Sequence, residues 1–267
     1  MLNLKRLATL FCLFVLTQSM HSQFGFSPEI GIIAGPVQFR SDYGSREDSE
    51  TNLGNSGFGI GIVSYLNFSY DRGFDYTSRD TYFKDHFKVR SEISWNKTKL
   101  EHFGRWVDPS KTTENSKRLR GQKGVAKNVD LGLQLEFYPF SIKDFEYFVP
   151  RLSPFVSLGL HYTFFSSEVS TTYANPDPSA IGDVLDASNF YSLWDPGSVD
   201  ARSGNTLSLV SSVGVRYKLN KMNDLMLDLR GQYYFSDWVD GLNHQLPFNK
   251  NNDWLLWLNV GYIFYFN

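Results

Sequence analysis

The chain has 267 residues, and its first 22 read as a cleaved leader, leaving 245: too few for two ordinary domains and ample for one large β-domain. Without the leader it carries 24 Lys and Arg against 28 Asp and Glu, which excludes a nucleic-acid binder working through bulk positive charge. The mean hydropathy of −0.31 excludes a bundle of membrane helices. The single cysteine, Cys12, lies in the leader, which excludes disulfides and cysteine-ligated metal in the rest.

The leader has a basic start (Lys5, Arg6), an apolar run over 7–16 and a small-residue stretch ending at Ser22. About 20 apolar residues are needed to span a bilayer as a helix, so this run predicts an export signal and not an anchor. Bulky Phe11 and Leu13 beside Cys12 argue against a lipidation site. The expected organisation is a signal peptide over 1–22 and one domain over 23–267.

Beyond the leader the period is two, the mark of strands with unlike faces. Eight segments follow in order: 29–41, 58–70, 87–97, 129–137, 156–164, 207–217, 225–235 and 254–267. The first is the least regular, because Pro36 interrupts it, and proline suits an edge or bulge better than a central ladder. In the fourth, Val129, Leu131, Leu133, Leu135 and Phe137 share one face and Asp130, Gly132, Gln134 and Glu136 the other. The last carries Trp254, Leu256, Leu258, Val260, Tyr262, Phe264 and Phe266 on a single face.

A soluble sandwich and a membrane barrel both produce this alternation. Three features favour the barrel. The longer segments suffice for a tilted membrane crossing. Aromatics gather at two levels, with Phe68, Phe87, Phe137, Tyr217, Phe264 and Phe266 at one and Phe58, Trp95, Tyr162, Phe164, Tyr233, Phe235 and Trp254 at the other, as lipid headgroups select. Long connections alternate with shorter ones, apart from a long one between the second and third segments. The predicted fold is therefore all-β: a single closed antiparallel transmembrane β-barrel of eight strands with long extracellular loops, in the outer membrane of a Gram-negative bacterium.

From Glu29 onward the chain resembles the small outer-membrane β-barrel proteins of Bacteroidota. The likeness is carried by Glu29-Ile30-Gly31-Ile32-Ile33-Ala34-Gly35-Pro36, by 80–90 (DTYFKDHFKVR), by 102–109 (HFGRWVDP) and by Gln134-Leu135-Glu136-Phe137-Tyr138-Pro139. Together they look like an uncharacterised family distantly similar to the barrel subunits around type IX protein secretion. The resemblance assigns no functional residues. The aromatic C-terminal ending resembles an insertion signal of outer-membrane barrels, although Asn267 follows Phe266.

The polar face supplies the candidate chemistry. Lys88, Arg90, Arg216 and Arg230 face inward together with Glu92, Asp130, Glu136 and Asp228, and His161 joins them. The interior of an eight-strand barrel is only wide enough for side chains to fill, so these charges are expected to pair as a plug. His161 and Ser157 suggest a hydrolase pair, but four strand residues span about 13 Å, beyond hydrogen-bond reach. Gly57, Gly59 and Gly61 have Ile62 where a dinucleotide fingerprint needs glycine, so no nucleotide is expected, and the glycines read as small lumen-facing positions.

The two longest loops differ in charge. Region 99–127 is net +5, with Arg118 and Arg120 among its cations, and region 166–203 is net −5, with Asp183 and Asp186 among its acids. They are expected to dock, with Trp106 and Trp194 among the rings at the centre of the contact. No EF-hand spacing supports calcium in the acidic loop.

The sequence thus predicts a non-enzymatic barrel with a plugged, charge-paired lumen and no cofactor. It would act as a structural or accessory subunit, in a secretion or assembly complex, through its outer loops. Its partners would be outer-membrane lipid and other envelope proteins. The alternatives are a small-solute channel and an outer-membrane hydrolase.

Overall fold

A computed structural model describes residues 27–45, 48–68, 82–173, 182–244, 246, 249 and 251–266; the expected signal peptide lies outside them. Eight strands run in chain order: β1 (Ser27–Arg40), β2 (Ser56–Asn67), β3 (Phe87–Glu101), β4 (Gln122–Phe137), β5 (Leu152–Thr171), β6 (Ser203–Asn220), β7 (Asn223–Tyr234) and β8 (Trp254–Tyr265). Each pairs antiparallel with the next, and β1 pairs with β8, so the sheet closes into a barrel without a free edge. Pro36 is accommodated within β1, opposite Phe58 of β2, while the ladder to β8 skips Gly35 and Pro36.

Closure fixes which side chains face where. Outward positions such as Ile32, Leu133, Leu158, Val213 and Val260 are apolar and exposed on every part of the wall. Such a surface is stable only against lipid, and a closed antiparallel barrel is the sheet that satisfies its backbone there. The outward aromatics form two levels. Phe87 and Phe137 face each other across β3 and β4 at 5.1 Å, and Phe264 and Phe266 lie 5.1 Å apart. At the other level Tyr233 pairs with Trp254 across β7 and β8, and Tyr162 lies 5.0 Å from Phe164. No helix among the described residues is long and apolar enough to cross a membrane, so the crossing is by strands.

The strands extend farther outward than the apolar pattern marked. β4 begins at Gln122, seven residues before the predicted start, and β5 runs on to Thr171. Above the lipid the outward face turns polar, with Lys97, Lys99, Lys123, Lys127 and Glu168, so the wall continues where apolar periodicity stops. This corrects the charge assigned to the outer loops. Lys99, Lys123 and Lys127 are wall residues; Lys123 pairs with Glu101 at 3.0 Å and Lys127 with Glu168.

Four short helices lie among the described residues: α1 (Ser49–Asn52), α2 (Tyr82–His86), α3 (Glu114–Gly121) and α4 (Ile142–Glu146). Helices α1 and α3 lie in outer loops. Helix α4 lies in the β4–β5 turn at the opposite end, where Ile142 and Phe145 are buried and the Ser141 side chain caps the helix by accepting from the Asp144 amide.

Candidate functional site

Two regions concentrate polar and aromatic side chains: the lumen and the cap formed by the outer loops. The inward face of β3 carries Lys88, Arg90 and Glu92, that of β4 Asp130 and Glu136, that of β6 Arg216, and that of β7 Asp228 and Arg230. All are buried. Ions buried this deeply are tolerated only when partners compensate the lost hydration. Arg230 forms a two-pronged bond to Glu92, at 2.6 and 2.7 Å. Arg90 lies 2.9 Å from Glu92, 3.1 Å from Asp228 and 3.4 Å from Glu136.

Three further charged residues belong to this network and escape the sequence reading. Glu29 of β1 accepts from Lys88 at 2.5 Å and from Arg216 at 2.6 Å, so one carboxylate ties β1, β3 and β6 together. Asp224 lies 3.2 Å from Lys218 and also accepts from the Tyr265 hydroxyl. Arg216 is stacked 4.0 Å above the Tyr65 ring, and the Tyr138 hydroxyl donates to Glu136 at 2.6 Å. Below the network, Phe145 of α4 faces the Lys218 ammonium at 5.3 Å, and Glu146 accepts from Asn67 at 2.7 Å. The β4–β5 turn therefore covers the inner mouth.

Asp130 does not join the ion pairs, contrary to expectation. It accepts from Thr163 at 2.5 Å, Gln232 at 2.8 Å and Asn96 at 3.5 Å, all neutral donors. The reason is depth: Asp130 sits nearer the outer end, level with Ser94 and Thr163, whereas the cations lie below. His161 is 3.0 Å from Gln134, and Ser157 donates to the same Gln134 at 2.9 Å. The amide thus stands between histidine and hydroxyl, and the two form no nucleophile–base pair.

The lumen is also more apolar than the charge pattern implies. Ile33, Val37 and Phe39 of β1, Val63 of β2 and Leu255, Trp257 and Ile263 of β8 point inward and are buried. Trp257 lies against β2, where a Cβ on Gly59 would come within 2.5 Å of its ring, and Arg230 stands 5.0 Å above it. The glycine positions of β2 do face the lumen, and at Gly59 the missing side chain makes room for an indole.

The outer loops form a single cap with a buried centre. The β1–β2 and β7–β8 loops join through Asp42, whose amide donates to Asp240 at 2.9 Å and whose carboxylate accepts from the His244 amide at 3.0 Å. The β5–β6 loop pairs with the β7–β8 loop at Val199 and Leu242. Trp194 is buried at the junction, stacked 5.0 Å from His244 and edge-on to Tyr191 at 5.3 Å, with His102 at 6.0 Å. Burial among these rings pushes the His102 imidazole down to about 4, against a hydrogen bond to Gln122.

The two long loops meet, but not through the charges expected. Arg118 of α3 donates to the Phe190 carbonyl at 3.1 Å, Ser192 donates to Asn115 at 3.0 Å, and the Tyr173 hydroxyl donates to Glu114. Arg120 instead closes its own loop, donating to the carbonyls of Val107, Asp108 and Lys111. The Asp183 carboxylate accepts from the Leu185 amide in its own turn, and the carbonyl of Asp186 accepts from Asn189 and Phe190. Trp106 is 48% exposed on the cap surface, with Arg105 4.8 Å from its ring, and is not at the buried centre. Backbone carbonyls and rings, more than opposite charges, hold the loops together. No group of three or more His, Cys, Asp or Glu suited to a metal gathers among the described residues.

No protein-family model matches the chain, and no curated protein matches its sequence. Among solved structures it is similar to Neisserial surface protein A, at 14% identity over 90% of this chain and 97% of that one, with a TM-score of 0.43. It is similar to the outer membrane protein OprG of Pseudomonas aeruginosa at 15% identity over 90% and 97%, TM-score 0.43. A major outer membrane protein of Thermus thermophilus gives 17% identity over 90% and 99%, TM-score 0.45. At such identities nothing of those proteins' roles passes to this chain. The closed eight-strand wall, with its apolar exterior between two aromatic levels, is that of a small outer-membrane β-barrel of the Gram-negative type.

Proposed function

We propose that the protein is a non-enzymatic, sealed barrel that works as a structural or accessory subunit through its extracellular cap, with other envelope proteins as partners. The observation that carries this reading is the filled lumen. Glu29 is paired with Lys88 and Arg216, and Glu92 with Arg90 and Arg230, all buried in the interior, and α4 and the outer loops cover the two ends. A narrow barrel packed this way offers no path for solute, which leaves the cap as the surface for recognition. A place among the barrel subunits of a protein secretion or assembly complex, type IX secretion in particular, rests on the sequence resemblance to Bacteroidota barrels.

Two measurements test the reading. Planar bilayers containing the purified protein should show no steady conductance, and gently solubilised membranes should yield a complex that is lost when 183–200 is replaced by a Gly-Ser link. A stable channel of salt-dependent size would establish a conducting role instead. An unchanged complex after the loop replacement would remove the cap from recognition.

A further inference from the structure

Lipid accounts for the exposed apolar side chains of the wall, but not for those of the cap, which stand beyond the outer aromatic level. There Leu193 is 63% exposed and Trp106 48%, beside a partly open cavity of about 210 Å³. Six rings line it: His102, Phe103, Trp106, Tyr191, Trp194 and His244, with Leu119, Leu193 and Leu246 among the rest. Large apolar groups exposed to water around a concavity mark a binding site more often than an accident of folding.

Size and chemistry narrow the occupant. An engineered apolar cavity of about 150 Å³ stays dry and takes up benzene, so this one suits one ring or two fused rings and is too small for a peptide helix. Ring walls favour a planar π-system, which gains from offset and edge-to-face contact. Of the polar groups in the lining, the Asp42 carboxylate accepts from the His244 amide at 3.0 Å, and His102 is bonded to Gln122 at 3.0 Å. His102 stays neutral well below pH 7. Arg105 and Lys111 stack on Trp106 at 4.8 and 5.4 Å, and among the described residues no Lys or Arg lines the cavity. With Asp42 in the lining and no cation, an organic acid is disfavoured.

We infer that the cap cavity binds a small, neutral, planar aromatic molecule of one or two fused rings, taken up from the extracellular side. This goes beyond the accessory role and does not depend on it.

The test uses the full protein in phosphatidylcholine nanodiscs with 5-fluoroindole as probe, followed by fluorine NMR. Saturable one-site binding beyond that of empty discs is expected. Leu119→Phe, which fills the cavity, should weaken it at least tenfold, and Trp106→Ala, which removes an exposed wall, about fivefold. Both variants should keep the faster gel mobility of the unboiled barrel, which separates loss of the site from loss of the fold. Binding no greater than in empty discs would overturn the proposal. So would equal binding in both variants, which would place the probe at the lipid-facing rings, or tighter binding of 4-fluorobenzoate than of 5-fluoroindole.

Discussion

The lumen and the cap are both buried interiors, yet different contacts hold them. In the lumen, ten charged residues from five strands meet at bonding distance, led by Glu29, Glu92, Arg90, Arg216 and Arg230. In the cap, Trp194, Tyr191, His102 and His244 pack ring against ring, and the loops are tied through backbone groups: amides that donate to Asp42 and Asp240, and the Phe190 carbonyl that accepts from Arg118. The difference follows from what surrounds each. The lumen wall is closed and its outer face is committed to lipid, so polar side chains inside have only one another. The cap is surrounded by water, so its loops exclude water by apolar burial, and the carboxylates buried there, Asp42 and Asp240, are held by backbone amides.

Breaking the lumen should therefore cost most. Arg230→Leu deprives Glu92 of its two-pronged partner and should destabilise the barrel by about 3–5 kcal/mol, read as a lowered urea midpoint for loss of the fast-migrating unboiled form. Replacing Arg230 and Glu92 together should cost less than the two single changes summed, because no orphan ion remains. Additive costs would mean that the pair is not a coupled unit.

The cap should break separately. Trp194→Ala removes the ring against which Tyr191, His102 and His244 pack, a loss of about 3 kcal/mol confined to the loops. Proteolysis at Arg118 and Arg120 should rise sharply while the urea midpoint of the barrel stays put. A matching fall in the barrel midpoint would show that cap and wall unfold as one.

Acid provides a gentler probe of the same division. The folded His102 titrates near 4 and the unfolded imidazole near 6.5. Because the unfolded loop binds the proton more readily, the stability this group gives the cap is present above about pH 6.5 and is lost as pH falls towards 4, by about 1.4 kcal/mol per unit across that window. Cap proteolysis should thus be faster at pH 5 than at pH 7.5, and His102→Gln should flatten the dependence. The smallest effect separates two neighbouring arginines. Arg118→Ala should raise cleavage within 183–200 several-fold, equivalent to about 1 kcal/mol, whereas Arg120→Ala, whose bonds stay in its own loop, should leave that segment unchanged.

The lumen was largely legible because alternation settles direction: once Leu131 and Leu133 face lipid, Asp130 must face inward. Alternation does not report depth along the axis, however, so Asp130 was expected among the cations and instead sits beside Thr163 and Gln232. Lys218 and Asp224 flank the β6–β7 turn outside the apolar runs, and Glu29 lies near the start of the strand that Pro36 obscures, so the three had no clear face to be read from. Trp257 carried a usable signal, since it shares its face with Asn259 and Gly261, but the lipid-facing run of the same strand hid it. The cap has no period at all. Nothing local distinguishes Arg118, which crosses to the other loop, from Arg120, which does not.

Glu29 bears on the order of assembly. Its partner Arg216 lies 187 residues away in sequence and on a strand that is not its neighbour in the sheet. While the sheet is still open, that contact cannot form, and several like it leave ions facing hydrocarbon or requiring water. Closing so long a loop is entropically slow, yet the gain arrives only when β1 meets β8. The buried ions thus favour the completed cylinder over a half-closed sheet, because closure brings Glu29 to Arg216 across the interior.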